Sequence, residues 1–376
     1  MDFTMSDRSS IKNSKRWVVK VGSALLTNDG EGLHRATIIK LAEQIAFLRD
    51  KGIEVVLVSS GSVAAGVSQL GMKARPTRVD ELQAAAAVGQ ASLVRHYEEA
   101  FQPFNIQTAQ VLLTHSDIAN RERYLNARST LLRLLELDVL TIVNENDTVA
   151  TDEICFGDND SLGSLVTNLV GADLMVILTD QNGLYTSDPR SNPDASLLNE
   201  VSAGDESLMA MATGGTTLGR GGMVTKLSAA QIASRSGAST LIANGRESRV
   251  LERLYQGEVL GTLLTASNRV PSKKQWMAGQ MKIAGKVVID DGAEKVLQQS
   301  GKSLLPVGVV SVDGDFMRGE LISCVNKHGK EIARGLSSYS AEDARLIMGK
   351  ASESIRELLP FAPDDELIHR DNLVLL

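Results

Sequence analysis

The sequence predicts an α/β protein: a three-layer α/β/α sandwich around a mostly parallel sheet, followed by a small β-rich domain. Three observations carry this. Short, nearly continuous apolar runs alternate with longer runs of helical periodicity through the first two thirds of the chain, as strands buried on both faces of a parallel sheet require. Near residue 265 the pattern gives way to a polar stretch and then to short strand-like runs parted by Gly and Asp. The length, 376 residues, is too great for one ordinary domain and comfortable for two.

Taken in order, Met1 to Lys15 is polar and reads as a flexible extension (1–15). Arg16 to Val21 is the first strand. Arg35 to Lys51 places Ile38, Leu41, Ile45 and Leu48 at helical spacing. Ile53 to Val58 is the next strand, and Asp80 to Phe101 is a long Ala-rich helix. Thr108–Leu113, Val139–Val143, Leu174–Leu178 and Thr240–Ala243 complete the strands of the first domain, 16–265, with helical runs at Ser161–Val170 and Leu227–Ser236. The stretch 266–274 is polar, carries Pro271 and reads as a linker. Gly285–Ile289, Pro306–Val312 and Glu320–Val325 are strand-like runs of a second domain, 275–363, with a tail over 364–376.

Hydrophobic residues make up 43% and charged residues 23%, which excludes a disordered chain, a collagen repeat and a coiled coil. A net charge of -7 argues against a protein built for nonspecific nucleic-acid binding, but leaves room for a small anionic ligand held by local positive charge. The two cysteines, Cys155 and Cys324, cannot build a disulfide framework and read as free thiols in a reducing compartment. Apolar runs fall far short of the roughly 20 residues that span a bilayer, and the N-terminus lacks a signal-peptide core, so the expected location is the cytoplasm with no membrane contact.

Five segments could carry chemistry, most of them just past a predicted strand, where open α/β sheets bind ligands. Lys20 ends the first strand and Gly22-Ser23 opens the next loop, a combination suited to phosphate oxygens, although a surface lysine beside a turn would look the same. Ser59-Ser60-Gly61-Ser62 follows the second strand and offers N–H groups and hydroxyls to an anion; a helix cap accounts for one of these serines, not for the cluster. Asn144-Glu145-Asn146-Asp147 and Gly157-Asp158-Asn159-Asp160 concentrate Asn and Asp, as a solvated loop does. Asp147 is placed to receive an ammonium group and Asp160 to organise lysines; any metal there would have oxygen ligands, which suits Mg²⁺. Thr179-Asp180-Gln181-Asn182-Gly183 with Tyr185 is a turn, or a wall for a base. Gly214 to Lys226 holds five glycines before a helix, either a flexible linker or a phosphate cradle with Lys226 adding charge. It is neither a Walker P-loop nor a dinucleotide fingerprint.

Together these motifs, in this order across residues 16–265, resemble the amino-acid kinase family, and most closely its glutamate-phosphorylating members; residues 275–363 resemble a PUA domain. The resemblance implies transfer of the ATP γ-phosphate to the side-chain carboxylate of L-glutamate, giving L-glutamyl 5-phosphate and ADP, the first step of proline biosynthesis. It implies that Ser60, Asp147 and Asn159 bind glutamate. Lys20, Thr179, Asp180 and the loop Arg220, Gly221, Gly222, Met223, Val224, Thr225 and Lys226 would bind ATP, with Arg220 standing where many members have Thr. Lys20 and Lys226 would stabilise the transferring phosphoryl group, with Asp160 holding them. Mg²⁺ accompanies ATP, L-proline is the expected feedback inhibitor, and a homo-oligomer (dimer or tetramer) is expected. A carboxylate nucleophile is already ionised at neutral pH and needs no general base, in keeping with the absence of histidine from these motifs.

Two other readings compete. Another member of the family, acting on acetylglutamate, aspartate, carbamate or a nucleoside monophosphate, would share the fold and differ in its acceptor loops. An RNA-binding regulator acting through the PUA-like domain is disfavoured, since residues 271–376 carry 14 Lys and Arg against 15 Asp and Glu.

Overall fold

The computed structural model describes residues 8–27, 32–119, 121–150, 159–189, 192–205, 207–213, 222–234, 236–266, 283–359 and 364–375. The chain divides into two compact units, Met1–His115 with Leu131–Arg269, and Ser116–Thr130 with Val270–Leu376.

In the first unit the strands are β1 (Arg16–Val21), β2 (Glu54–Ser59), β3 (Thr108–Leu113), β4 (Leu140–Glu145), β5 (Leu174–Thr179), β6 (Glu200–Ser202), β7 (Ser239–Asn244) and β8 (Thr262–Thr265). They form one sheet in the order β3-β4-β2-β1-β5-β7-β8-β6. From β3 to β7 every pairing is parallel, and β8 pairs antiparallel with β7. The sheet is therefore mostly parallel, as the apolar runs predict. β6, at the sheet edge, and β8, between β6 and β7, are short strands with no distinguishing composition, and sequence reading passes over them.

The period-2 alternation of β1 decides what Lys20 can reach. Trp17, Val19 and Val21 join a core cluster with Ile38, Ile45, Leu93 and Phe101, from the helices Arg35–Asp50 and Val79–Phe101. Lys20 points to the other face, which the helices Asn159–Val170 and Met223–Ser234 cover. There, a Cβ built on Gly163 would lie 3.5 Å from the Lys20 Cβ. Ala229, Ala230 and Ala233 pack with Met175 and Ile177 on that face.

The helix Ser62–Gln69 crosses Val79–Phe101 at backbone contact. A Cβ on Gly66 would meet the Ala85 carbonyl oxygen at 1.7 Å, and one on Gly89 would meet the Ser62 oxygen at 1.9 Å. The two glycines, one on each helix, are what allow this approach.

The helix carrying Lys226 begins at Met223, four residues before the predicted Leu227, so the lysine sits in its first turn. Short of Arg16, Ser9–Asn13 is helical, with Ile11 buried, and the Arg8 guanidinium donates to the carbonyls of Asn199, Leu260 and Gly261 at 2.8, 3.1 and 2.9 Å. The polarity that marks residues 1–15 as an extension conceals this one buried cation.

The second unit holds β9 (Gly285–Ile289), β10 (Val309–Gly314), β11 (Leu321–Val325), β12 (Glu331–Leu336) and β13 (Leu373–Leu375), in the order β10-β9-β11-β12-β13. Its core gathers Phe316, Ile322, Cys324, Tyr339 and Ile368. Asp290 caps the helix Asp291–Ser300, accepting from the Ala293 N–H at 2.7 Å. Pro306–Gly308 forms a 3₁₀ turn, and the predicted strand starts only at Val309, because proline supplies no ladder donor. β13 comes from the stretch set apart as a tail and pairs with β12. Within this unit Arg128 pairs with Asp371 at 2.7 Å.

Candidate active site

The C-terminal ends of β1, β2, β4 and β5 lie along one edge of the sheet, and the sequence-predicted residues gather there. Lys20 is the penultimate residue of β1. Asp160 opens the helix Asn159–Val170, and Lys226 lies in the first turn of Met223–Ser234. Lys20 Nζ stands 2.5 Å from one Asp160 oxygen, Lys226 Nζ 3.0 Å from the other, and Thr225 Oγ1 donates to that second oxygen at 3.0 Å. All three charges are sequestered: the side chains of Lys20 and Lys226 are 7% and 5% exposed and that of Asp160 is 0% exposed. Burial alone would push the Asp160 carboxyl up; the two ammonium groups outweigh it and hold the group down at about 2. The carboxylate is thus ionised at neutral pH, and it fixes two cations side by side.

Beside this triad lies a cavity of about 740 Å³ whose lining includes Ser60, Gly61, Ser62, Asn144, Glu145, Asp147 and Asn159. The three residues expected to bind the acceptor therefore share one space. The Ser60 N–H donates to the Val21 carbonyl at 3.3 Å, which ties the Ser-Gly loop to the end of β1. Gly61 has a φ of +103°, a left-handed conformation that glycine adopts without strain. That turn aims Ser62 Oγ at Asp147, to which it donates at 2.8 Å. Burial raises the Asp147 carboxyl to about 6, with Glu145 adding to the rise, while the Ser62 hydrogen bond and the charge of Arg75 oppose it. A carboxylate held that high gains from any cation brought to it.

Thr179 and Asp180 stand at the end of β5, the strand next to β1, with Thr179 Oγ1 donating to Asp180 at 3.1 Å. The Gly22 N–H donates to the Leu178 carbonyl at 3.2 Å, which joins the two loops. Gly222, Met223, Val224 and Thr225 form the start of the Lys226 helix, where Thr225 Oγ1 also donates to the Gly222 carbonyl at 2.7 Å. Arg220 and Gly221 lie outside the described residues, as do Cys155, Gly157 and Asp158. Sequence reasoning did not single out Ser62, Arg75 or Asn144 as site residues. Ser62 and Asn144 sit inside motifs already noted, whereas Arg75 follows no strand and carries no local signal.

Among the described residues no group of three or more His, Cys, Asp and Glu could hold a metal ion, and no helix is long and apolar enough to cross a membrane. Both Asp160 oxygens face lysines, so this carboxylate is a poor cation ligand.

A parallel sheet with paired lysines and a cavity at the ends of its strands defines a class, and the sequence comparisons agree: the chain belongs to the amino acid kinase family, whose signature matches residues 15–244. A PUA domain signature matches residues 285–359. The chain is 58% identical to the glutamate 5-kinase of Cupriavidus taiwanensis and 57% identical to that of Paraburkholderia phymatum, in each case over 371 residues covering 98% of this chain and 100% of the relative. Among solved structures, carbamate kinase from Giardia lamblia bound to AMP-PNP matches with a TM-score of 0.50 at 18% identity, over 68% of this chain and 100% of that one, a likeness of fold.

Proposed function

We propose that this protein is a glutamate 5-kinase, using ATP to phosphorylate the side-chain carboxylate of L-glutamate. The observation that carries the reading is the buried Lys20–Asp160–Lys226 group beside a cavity that presents Asp147. Asp147 receives the α-ammonium group, and Ser60 and Asn159 complete the grip on the amino acid. The side-chain carboxylate, ionised at neutral pH, then faces the terminal phosphate of ATP. Its oxygen forms the new P–O bond as the bond to the β-phosphate oxygen breaks. The bonding electrons leave with ADP, and no proton moves.

The chain's part is placement and charge. Lys20 and Lys226 balance the negative charge on the transferring group and the leaving oxygen. Asp160 prevents the two cations from separating and lowers the cost of burying them together. The first-turn N–H groups of the helix at Met223 add donors near the phosphates, and Thr179, Asp180 and the loop Arg220–Gly222 hold the nucleotide. Mg²⁺ would arrive on the nucleotide and supply further charge neutralisation. The need for a free ammonium group separates glutamate from acetylglutamate, carbamate and nucleotides as acceptors.

Residues 16–265 carry this chemistry, in the cytoplasm and within a homo-oligomer, and the PUA domain tunes assembly or regulation. L-Proline, which shares the ammonium and α-carboxylate of glutamate, would compete at Asp147 as a feedback inhibitor. ATP-dependent formation of a hydroxamate in the presence of hydroxylamine tests the assignment across glutamate, aspartate and N-acetylglutamate. Product with glutamate alone is expected; a better rate with another acid refutes the reading.

A further inference from the structure

Behind the acceptor cavity three buried amide side chains run in series, and two backbone groups fix which way each one faces. The Ser59 carbonyl can only accept, so the Asn159 edge 2.7 Å away is the NH₂. The Glu145 N–H can only donate, so the Asn144 edge 2.9 Å away is the oxygen. The same Asn144 oxygen accepts a second bond from the Asn159 NH₂ at 2.7 Å. Asn144 must then turn its own NH₂ the other way, where Gln90 Oε1 accepts at 2.7 Å. Both protons of the Asn159 side chain are spent inside the protein, which leaves its oxygen for the cavity. Gln90 belongs to the helix Val79–Phe101, is buried and lies outside the cavity lining. Its Nε2 finds no hydrogen-bond partner among the described residues, so the oxygen is all this side chain offers the series.

We propose that Gln90 is a positioning residue for acceptor recognition: through Asn144 it holds Asn159 with only its oxygen toward the cavity, so that Asn159 and Asp147 together accept from an ammonium group. The proposal rests on the glutamate reading above. Without the Gln90 oxygen, the Asn144 NH₂ becomes a buried donor with nothing to meet. It regains a partner only by rotating, and rotation withdraws its oxygen from Asn159. Asn159 is then free to turn its NH₂ toward the acceptor, where it opposes an ammonium group and no longer penalises an acceptor without one.

The test compares glutamate with glutarate, the same diacid lacking the amino group, in the full-length protein by hydroxamate formation. Gln90→Met keeps the length and removes the acceptor atom. Its KM for glutamate should rise about tenfold, its KM for ATP should stay within about twofold, and its kcat/KM preference for glutamate over glutarate should shrink about tenfold. Gln90→Glu keeps an oxygen toward Asn144, loses the unpaired NH₂, and should hold the preference within about threefold of wild type. An unchanged preference in Gln90→Met overturns the proposal, as does a Gln90→Glu variant that loses the preference. If Gln90→Met does not fold, the Gln90→Glu result decides alone. Wild-type protein that makes no glutamate-dependent hydroxamate overturns the function reading instead, a distinguishable result.

Discussion

Asp160→Asn tests the charge arrangement on which the site depends. The substitution keeps the shape of the side chain and removes the one anion between two buried ammonium groups. The wild-type carboxyl sits at about 2 against an ordinary 3.8, a net preference for the ionised form of about 2 kcal/mol after burial has been overcome. Removing one partner of a buried ion pair costs about 3–5 kcal/mol, since what remains is uncompensated. Here two lysines remain, only 7% and 5% exposed, and they repel each other, so the upper part of that range is expected. Urea unfolding of the full-length protein, followed through Trp17, which is fully buried in the first unit, should show the lowered midpoint. ATP should restore more stability to the variant than to wild type, because its phosphates replace the missing charge. The sign with pH follows from the lowered carboxyl: its stabilisation is complete above 3.8 and is lost as pH falls through about 2, so the gap between wild type and variant closes over that window. A variant with wild-type midpoint and turnover would refute the reasoning.

Further outcomes follow from the acceptor side. Asp147→Asn should raise the KM for glutamate about 10- to 100-fold and leave the KM for ATP within about twofold, since only the ammonium contact is lost. In wild type, kcat/KM for glutamate should fall as pH drops below about 6, where the Asp147 carboxyl takes up a proton, and a profile flat from pH 5 to 8 would count against its role. Gly89→Ala puts a methyl 1.9 Å from the Ser62 oxygen; it should cost about 1–3 kcal/mol in urea unfolding and weaken glutamate binding through Ser62 and Asp147.

The first unit was legible because its parallel strands are continuous apolar runs, and β1 and β3 fall on the predicted residues. The short strands β6 and β8 carry no such run. The helix at Met223 begins earlier than its apolar pattern because Gly222 ends the loop and Thr225 bonds back to its carbonyl, a local contact without periodicity. In the site, Lys20, Asp160 and Lys226 were readable as charges at motif positions. That one carboxylate holds both lysines depends on which face of β1 Lys20 occupies and which helix covers it. Gln90 was invisible to sequence reading: it sits in a featureless alanine-rich helix, and its part depends on two backbone groups that orient distant amides.

In the proposed mechanism two convergent ammonium groups, with no general base, carry the phosphoryl group to the carboxylate. The most direct measurement is the single-turnover rate of the Lys20→Ala and Lys226→Ala variants at saturating ATP and glutamate, with glutamate affinity measured alongside. The rate should fall about 100-fold or more in each, with glutamate affinity within about threefold of wild type. Near-wild-type rates in both variants would contradict it.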